Sequence, residues 1–291
     1  MTDTPSDIDE VTGRTTTGHE WDGIRELNTP LPRWWLWLFY ITIVWSVGYW
    51  IVYPSWPLVT TYTKGAFGWQ SREAIKADLA ELTTLRGATM TQIASAKLED
   101  IAGDPKLLAF ARAVAKPAFG TNCAPCHGTG AAGFKGYPNL NDDDWLWGGK
   151  LADIEATIRH GVRLSDTASR QGSMPAFGRD GMLPRADIEA VTDYVRQLAD
   201  LAPAQPTAAK GAKVYADTCA ACHGDKGEGK RELGAPNLTD RIWLYGSSRE
   251  SIIEGLVNGR GGVMPGWAGR LDEATVKALS VYVHTLGGGE K

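Results

Sequence analysis

Two five-residue stretches constrain this chain more than anything else in it: Cys123-Ala124-Pro125-Cys126-His127 and Cys219-Ala220-Ala221-Cys222-His223. Each reads C-x-x-C-H, the attachment pattern for a c-type haem. The chemistry sets the spacing. Two thiols add to the two vinyl groups of one porphyrin, so they lie about one helical turn apart, and the adjoining histidine turns its ring nitrogen to the iron. The four cysteines of the chain are all used this way, which leaves none for a disulfide or a catalytic thiol. A zinc ribbon would place its second C-x-x-C pair roughly 15–20 residues after the first. Here Cys126 and Cys219 are 93 positions apart, and each pair carries its histidine. A thioredoxin-like dithiol would sit near a βαβ pattern, and the chain shows none.

The apolar pattern makes the second constraint. Trp34 through Tyr53 is a run of 20 residues without a charge. As a helix it spans about 30 Å, the hydrocarbon thickness of a bilayer. Trp34 and Trp35 stand at one end, and Trp50, Tyr53 and Trp56 at the other, as the two interfaces require. Arg33 precedes it; Pro54 and Pro57 end it. The run is too long and too far from the start for a cleavable signal peptide, so it reads as an uncleaved anchor. Flanking charge orients it only weakly. Covalent haem attachment in bacteria takes place outside the cytoplasmic membrane, which puts the C-terminal part in the periplasm and residues 1–33 in the cytoplasm.

Charge excludes other roles. The net charge is −4, and residues 1–33 already carry it, with seven acids against Arg14, Arg25 and Arg33. The rest is balanced and gives no basis for binding nucleic acid. Residues 1–18 are polar and without apolar periodicity, and read as a disordered tail. Residues 19–33 read as a segment lying on a partner or on lipid headgroups, with His19 solvated rather than a ligand. Residues 54–103 read as a helical spacer: a turn near Gly65 and Gly68, then helix from Ser71 to about Ala102, divided at Gly87.

From 104 to 200 and from 207 to 291 the chain repeats itself across a stiff linker, 201–206. Phe119 and Tyr215 each stand four residues before a motif. Pro138-Asn139-Leu140 matches Pro236-Asn237-Leu238, Trp145 matches Trp243, and Ser173-Met174-Pro175 matches Val263-Met264-Pro265. Each copy ends in an amphipathic helix, Pro184–Leu198 and Asp272–Leu286. The copies resemble class I cytochrome c domains. That resemblance implies an all-α fold, with two tandem domains of this kind behind one N-terminal transmembrane helix, in which the haem completes a core too small to stand alone.

Met174 and Met264 follow the motif histidines of their copies by 47 and 41 residues. A single methionine is usually a core filler, but the matched Met-Pro pairs make both of them axial ligands opposite His127 and His223. His160 has no histidine counterpart in the second copy, and His284 sits at a helix end where the dipole accounts for it. Arg163 and Arg260 are divided between haem propionates and solvent, and no role is assigned to them. Iron held by histidine and methionine has no open position, so it relays electrons.

The stretch Thr17-Gly18-His19-Glu20-Trp21-Asp22-Gly23-Ile24 to Pro32-Arg33-Trp34-Trp35, one span, and then Tyr53-Pro54-Ser55-Trp56-Pro57 resembles the di-haem subunit of cbb3-type cytochrome c oxidases, the CcoP/FixP family. The resemblance covers nearly the whole chain. It implies a non-catalytic electron-transfer subunit of an oxygen-reducing, proton-pumping complex in the bacterial inner membrane. The electron donor is a soluble or membrane-anchored cytochrome c, and the partners are a mono-haem c subunit and a catalytic haem-copper subunit. The readings set against it are a di-haem subunit of a periplasmic dehydrogenase and a di-haem peroxidase.

Overall fold

The structure, a computed structural model, describes residues 8–290. It divides between Thr83 and Thr84 into two compact units.

The first unit opens on a hairpin, not a featureless tail. Residues 1–7 lie outside the described residues, but the rest of the stretch expected to be disordered is ordered. Ile8 bridges Thr15, and strand β1 (Thr16–Trp21) pairs antiparallel with β2 (Ile24–Leu27). The cause is local. Asp22 and Gly23 both take positive φ, +49° and +84°, as a two-residue hairpin turn needs. Arg25 donates to Glu20 across the strands at 2.8 Å.

Helix α1 (Arg33–Val52) follows Pro32, which cannot extend it backwards, and stops at extended Tyr53 before Pro54. None of its residues is buried against protein, and its length and composition suit a membrane crossing. The chain then folds back on the helix end. Ala66 N–H donates to the Ile51 carbonyl and Phe67 N–H to that of Val52, which satisfies acceptors a helix terminus otherwise leaves bare. Tyr53 meets the rings of Phe67 and Trp69 edge-on.

Helix α2 (Ser71–Ser95) runs unbroken through Gly87. A glycine inside a helix costs about 1 kcal/mol, too little to divide one otherwise rich in helix formers.

In the second unit α3 (Leu98–Gly103) leads to α4 (Pro105–Asn122), whose first turn holds a proline and whose Lys106 and Leu107 N–H groups donate to the Asp104 carboxylate. The first motif forms a single turn, α5 (Ala124–His127). Helices α6 (Leu151–His160) and α7 (Arg185–Leu198) complete the first copy. The second copy follows the same plan: α8 (Ala208–Val214), α9 (Ala220–His223), α10 (Arg249–Asn258) and α11 (Glu273–His284), the last capped by Asp272.

The packing crosses the copies. The nine-residue connection after α7 turns the chain straight back, so α7 and α8 lie against each other as an αα-hairpin. That contact takes α7 away from α4, and α11 packs on α4 instead. Two cores result. One gathers Ile101, Phe119, Ala124, Ile154, Leu279 and Val281, with Met264 and Trp267 at its edge. The other gathers Phe177, Ile188, Val191, Tyr215, Cys219 and Ile253, with Met174 at its edge. Matched aromatic pairs mark the exchange: Phe119 meets Tyr282 at 5.6 Å and Tyr194 meets Tyr215 at 5.4 Å. Each fully buried large side chain contributes about 1.5–3 kcal/mol.

Candidate haem sites

Each motif follows a helix directly. Helix α4 runs to Asn122, and Cys123 is its C-terminal neighbour. In the second copy α8 passes through a wider turn, Tyr215–Cys219, before α9. Tyr215, fully buried, anchors that turn by donating its hydroxyl to the Gly224 carbonyl at 2.7 Å.

The four cysteines are unbridged. Cys126 and Cys222 are exposed, and Cys123 and Cys219 face inward. Burial, assisted by the neighbouring cysteine, pushes the Cys123 and Cys219 thiols up to about 11. They are therefore thiols, not thiolates, at neutral pH.

The two histidines are held alike. His127 Nδ1 lies 2.9 Å from the Pro138 carbonyl, and His223 Nδ1 lies 3.0 Å from that of Pro236. A carbonyl oxygen only accepts, so Nδ1 carries the proton in both rings. The lone pair is left on Nε2, the atom a metal takes. Burial pulls both imidazoles below the ordinary histidine range. Each stays neutral near pH 7, as a ligand must.

The methionine loops are interleaved. Met264 exchanges two backbone hydrogen bonds with Val162, at 2.9 and 3.2 Å, and Met174 does so with Arg260, at 2.9 and 3.0 Å. Gly161 and Gly259, the residues that cap α6 and α10, permit this. Both have positive φ, +70° and +75°. A β-carbon on Gly161 would strike the Met264 carbonyl, and one on Gly259 would come within 2.7 Å of the Met174 carbonyl. The structure thus brings Met264 to the core that holds Cys123 and Ala124, and Met174 to the core that holds Cys219 and Ala220. Copy-internal spacing does not reveal this exchange.

The remaining histidines have other partners. His160 Nδ1 pairs with Asp166 at 2.8 Å, and His284 Nε2 donates to the Glu290 carbonyl at 2.8 Å. Arg163 donates to the carbonyls of Gly172 and Gly262, so it ties the two methionine loops together. Among the described residues no cluster of three or more His, Cys, Asp or Glu side chains forms a separate metal site. The donor set of each site, two thiols, one neutral imidazole and one thioether, fits a covalently attached haem and suits no closed zinc site.

Comparison with known proteins agrees. Residues 13–60 match the N-terminal domain of cytochrome oxidase-cbb3, FixP. Residues 112–195 and 206–283 match cytochrome c oxidase, cbb3-type, subunit III. A FixP subunit of cbb3-type cytochrome c oxidase from Bradyrhizobium sp. (strain ORS 278) is 59% identical, covering 98% of this chain and 99% of its own. One from Azorhizobium caulinodans is 57% identical over 97% and 96%, and a CcoP subunit from Cereibacter sphaeroides is 49% identical over 94% and 95%. The two matched cytochrome domains imply two covalently bound haem c groups, and each matched range contains one C-x-x-C-H motif. With its N-terminal segment and both of its cytochrome domains matched, the chain belongs to the family of subunit III of cbb3-type cytochrome c oxidase, and it is an electron-transfer subunit.

Proposed function

We propose that Cys123 and Cys126 hold one haem by thioether bonds and Cys219 and Cys222 the other, with each iron ligated across the repeat: His127 with Met264, and His223 with Met174. The observation that carries this is the placement of each methionine in the core that surrounds the other copy's motif. Two haem units, each assembled from both 104–200 and 207–291, follow from it. Haem with both axial positions filled supplies one-electron transfer and no site for oxygen. The protein's own part is to fix the histidine tautomers through Pro138 and Pro236, and to keep water out with α4 and α11 on one side and α7 and α8 on the other.

In this reading the subunit is not itself catalytic. It takes electrons from a soluble or membrane-anchored cytochrome c and passes them to a mono-haem subunit, which feeds the catalytic haem-copper subunit that reduces oxygen. Helix α1 anchors it in the bacterial inner membrane, with the N-terminus cytoplasmic and the haem units periplasmic. Purification from native membranes in mild detergent tests the assembly: co-elution with a subunit carrying b-type haem is expected, and co-elution with a flavin dehydrogenase would contradict it. The ligand pairing is tested in a chain with Cys219 and Cys222 both changed to Ala, which retains only the first haem. There Met264→Ala abolishes the methionine-to-iron charge-transfer band and Met174→Ala leaves it; the reverse result would restore pairing within each copy.

A further inference from the structure

The two copies also exchange an aromatic ring. Trp147 and Tyr245 occupy matching positions, two residues after Trp145 and Trp243. Both are half-buried, and each lies against the opposite copy. The Trp147 ring fills the space beside Gly234, where an added β-carbon would collide with it, and reaches to 3.7 Å from the corresponding point on Gly172. Tyr245 stands 3.3 Å from that point on Gly136, and its hydroxyl 3.5 Å from that on Gly262. Gly136 N–H donates to the Leu244 carbonyl at 2.8 Å, next to Tyr245, so the seam is held by backbone as well.

The four glycines mark the loops that bear the methionines and the loops that bear the prolines orienting the histidines. Gly234 lies two residues before Pro236, whose carbonyl fixes His223, and Gly172 lies two before Met174. Gly136 lies two before Pro138, which fixes His127, and Gly262 lies two before Met264. Trp147 therefore touches both the histidine-side loop and the methionine loop of the second core, and Tyr245 touches both loops of the first. An arginine covers each ring: Arg163 stands 5.9 Å from the centre of Trp147, and Arg260 stands 4.3 Å from that of Tyr245. Arginine over an aromatic face adds attraction beyond packing. Each ring is thus packed against both loops and an arginine, as a wedge between them.

We propose that Trp147 and Tyr245 are positioning residues acting in trans: Trp147 sets the distance between the loop whose Pro236 orients His223 and the loop carrying Met174, and Tyr245 sets it between the loop whose Pro138 orients His127 and the loop carrying Met264. The assignment rests on the crossed ligation proposed above. Loosening a wedge lets its methionine loop drift from the iron, and packed interfaces of this kind transmit such shifts between sites. Each haem then reports the seating of the neighbouring copy.

The test uses the full-length holoprotein and the proton resonances of iron-bound methionine methyl groups in the ferrous state, one for each haem. Met174→Ala and Met264→Ala each remove one signal and so assign it. Trp147→Leu is expected to broaden or remove the Met174 signal and lower the midpoint potential of that haem alone, with Trp147→Phe restoring both. Tyr245→Leu is expected to do the same to the Met264 signal, which keeps the proposal testable where the tryptophan variant fails to fold. Both signals unmoved in either Leu variant, both disturbed equally, or the wrong one disturbed, would overturn it. Failure of crossed ligation alone shows separately, as the assigned Met174 signal belonging to the haem that survives Cys219→Ala with Cys222→Ala.

Discussion

Asp144 sits half-buried close to Asp240 and Asp142, and its acidity answers to them. Loss of water, then repulsion from Asp240 and Asp142, pushes its carboxyl up to about 6 from an ordinary 3.8. The folded protein binds this proton more tightly than the unfolded chain. Its contribution to stability is thus fullest below pH 3.8 and is lost as pH rises through about 6. Asp144→Asn is expected to raise the melting temperature at pH 8 and leave it unchanged below pH 4, as calorimetry at the two pH values would show. At this scale the sequence singles out the motif cysteines and histidines by their fixed spacing and the two methionines by their matched Met-Pro pairs; their roles at the haems belong to the proposal. The purpose of Pro138 and Pro236 is not legible there: a backbone carbonyl that orients an imidazole leaves no mark in residue type beyond the matched Pro-Asn-Leu. Nor is the role of Arg163, since its partners are carbonyls from both copies.

Elements were read best where one physical rule governs them. Uncharged length gave α1 within a residue at each end, and 3.6-residue periodicity gave α7 and α11, with Pro184 and Asp272 just before their first turns. Trp21-Asp22-Gly23-Ile24 held the signal for the hairpin, a Asp-Gly turn between apolar residues, but it was obscured by the polar stretch before it. Periodicity reveals that a helix has a buried face without saying what covers it. That is why periodicity alone does not reveal α11 on α4 or α7 on α8. Phe119 measures the strength of the exchange. It is 2% exposed and meets Tyr282 of α11. Phe119→Ala is expected to cost about 3–5 kcal/mol in denaturant unfolding. Tyr282→Ala should be strongly non-additive with it in a double-mutant cycle, because the two rings share one contact.

Across the whole molecule, the second unit behaves as a single piece of architecture with two cores. The last helix also reaches beyond the haem motifs: Lys277 donates to the carbonyls of Ala94 and Ala96 at 2.7 and 2.8 Å, closing the end of α2. A chain ending at Asp272 keeps both motifs and both methionines but lacks this helix. Limited proteolysis of that chain is expected to cleave within α4, far from the truncation, while a protein of two independent tandem domains would be cut only near its new end. The nine residues after α7 join the two copies in this exchanged arrangement.

The exchange has a consequence in time. A ribosome completes His127 146 residues before it reaches Glu273, where α11 begins. Through the synthesis of those 146 residues the first motif is present while the helix that covers it does not yet exist. The first core therefore stays open until α11 arrives, and its two sides, α4 and α11, come together only across the whole second copy.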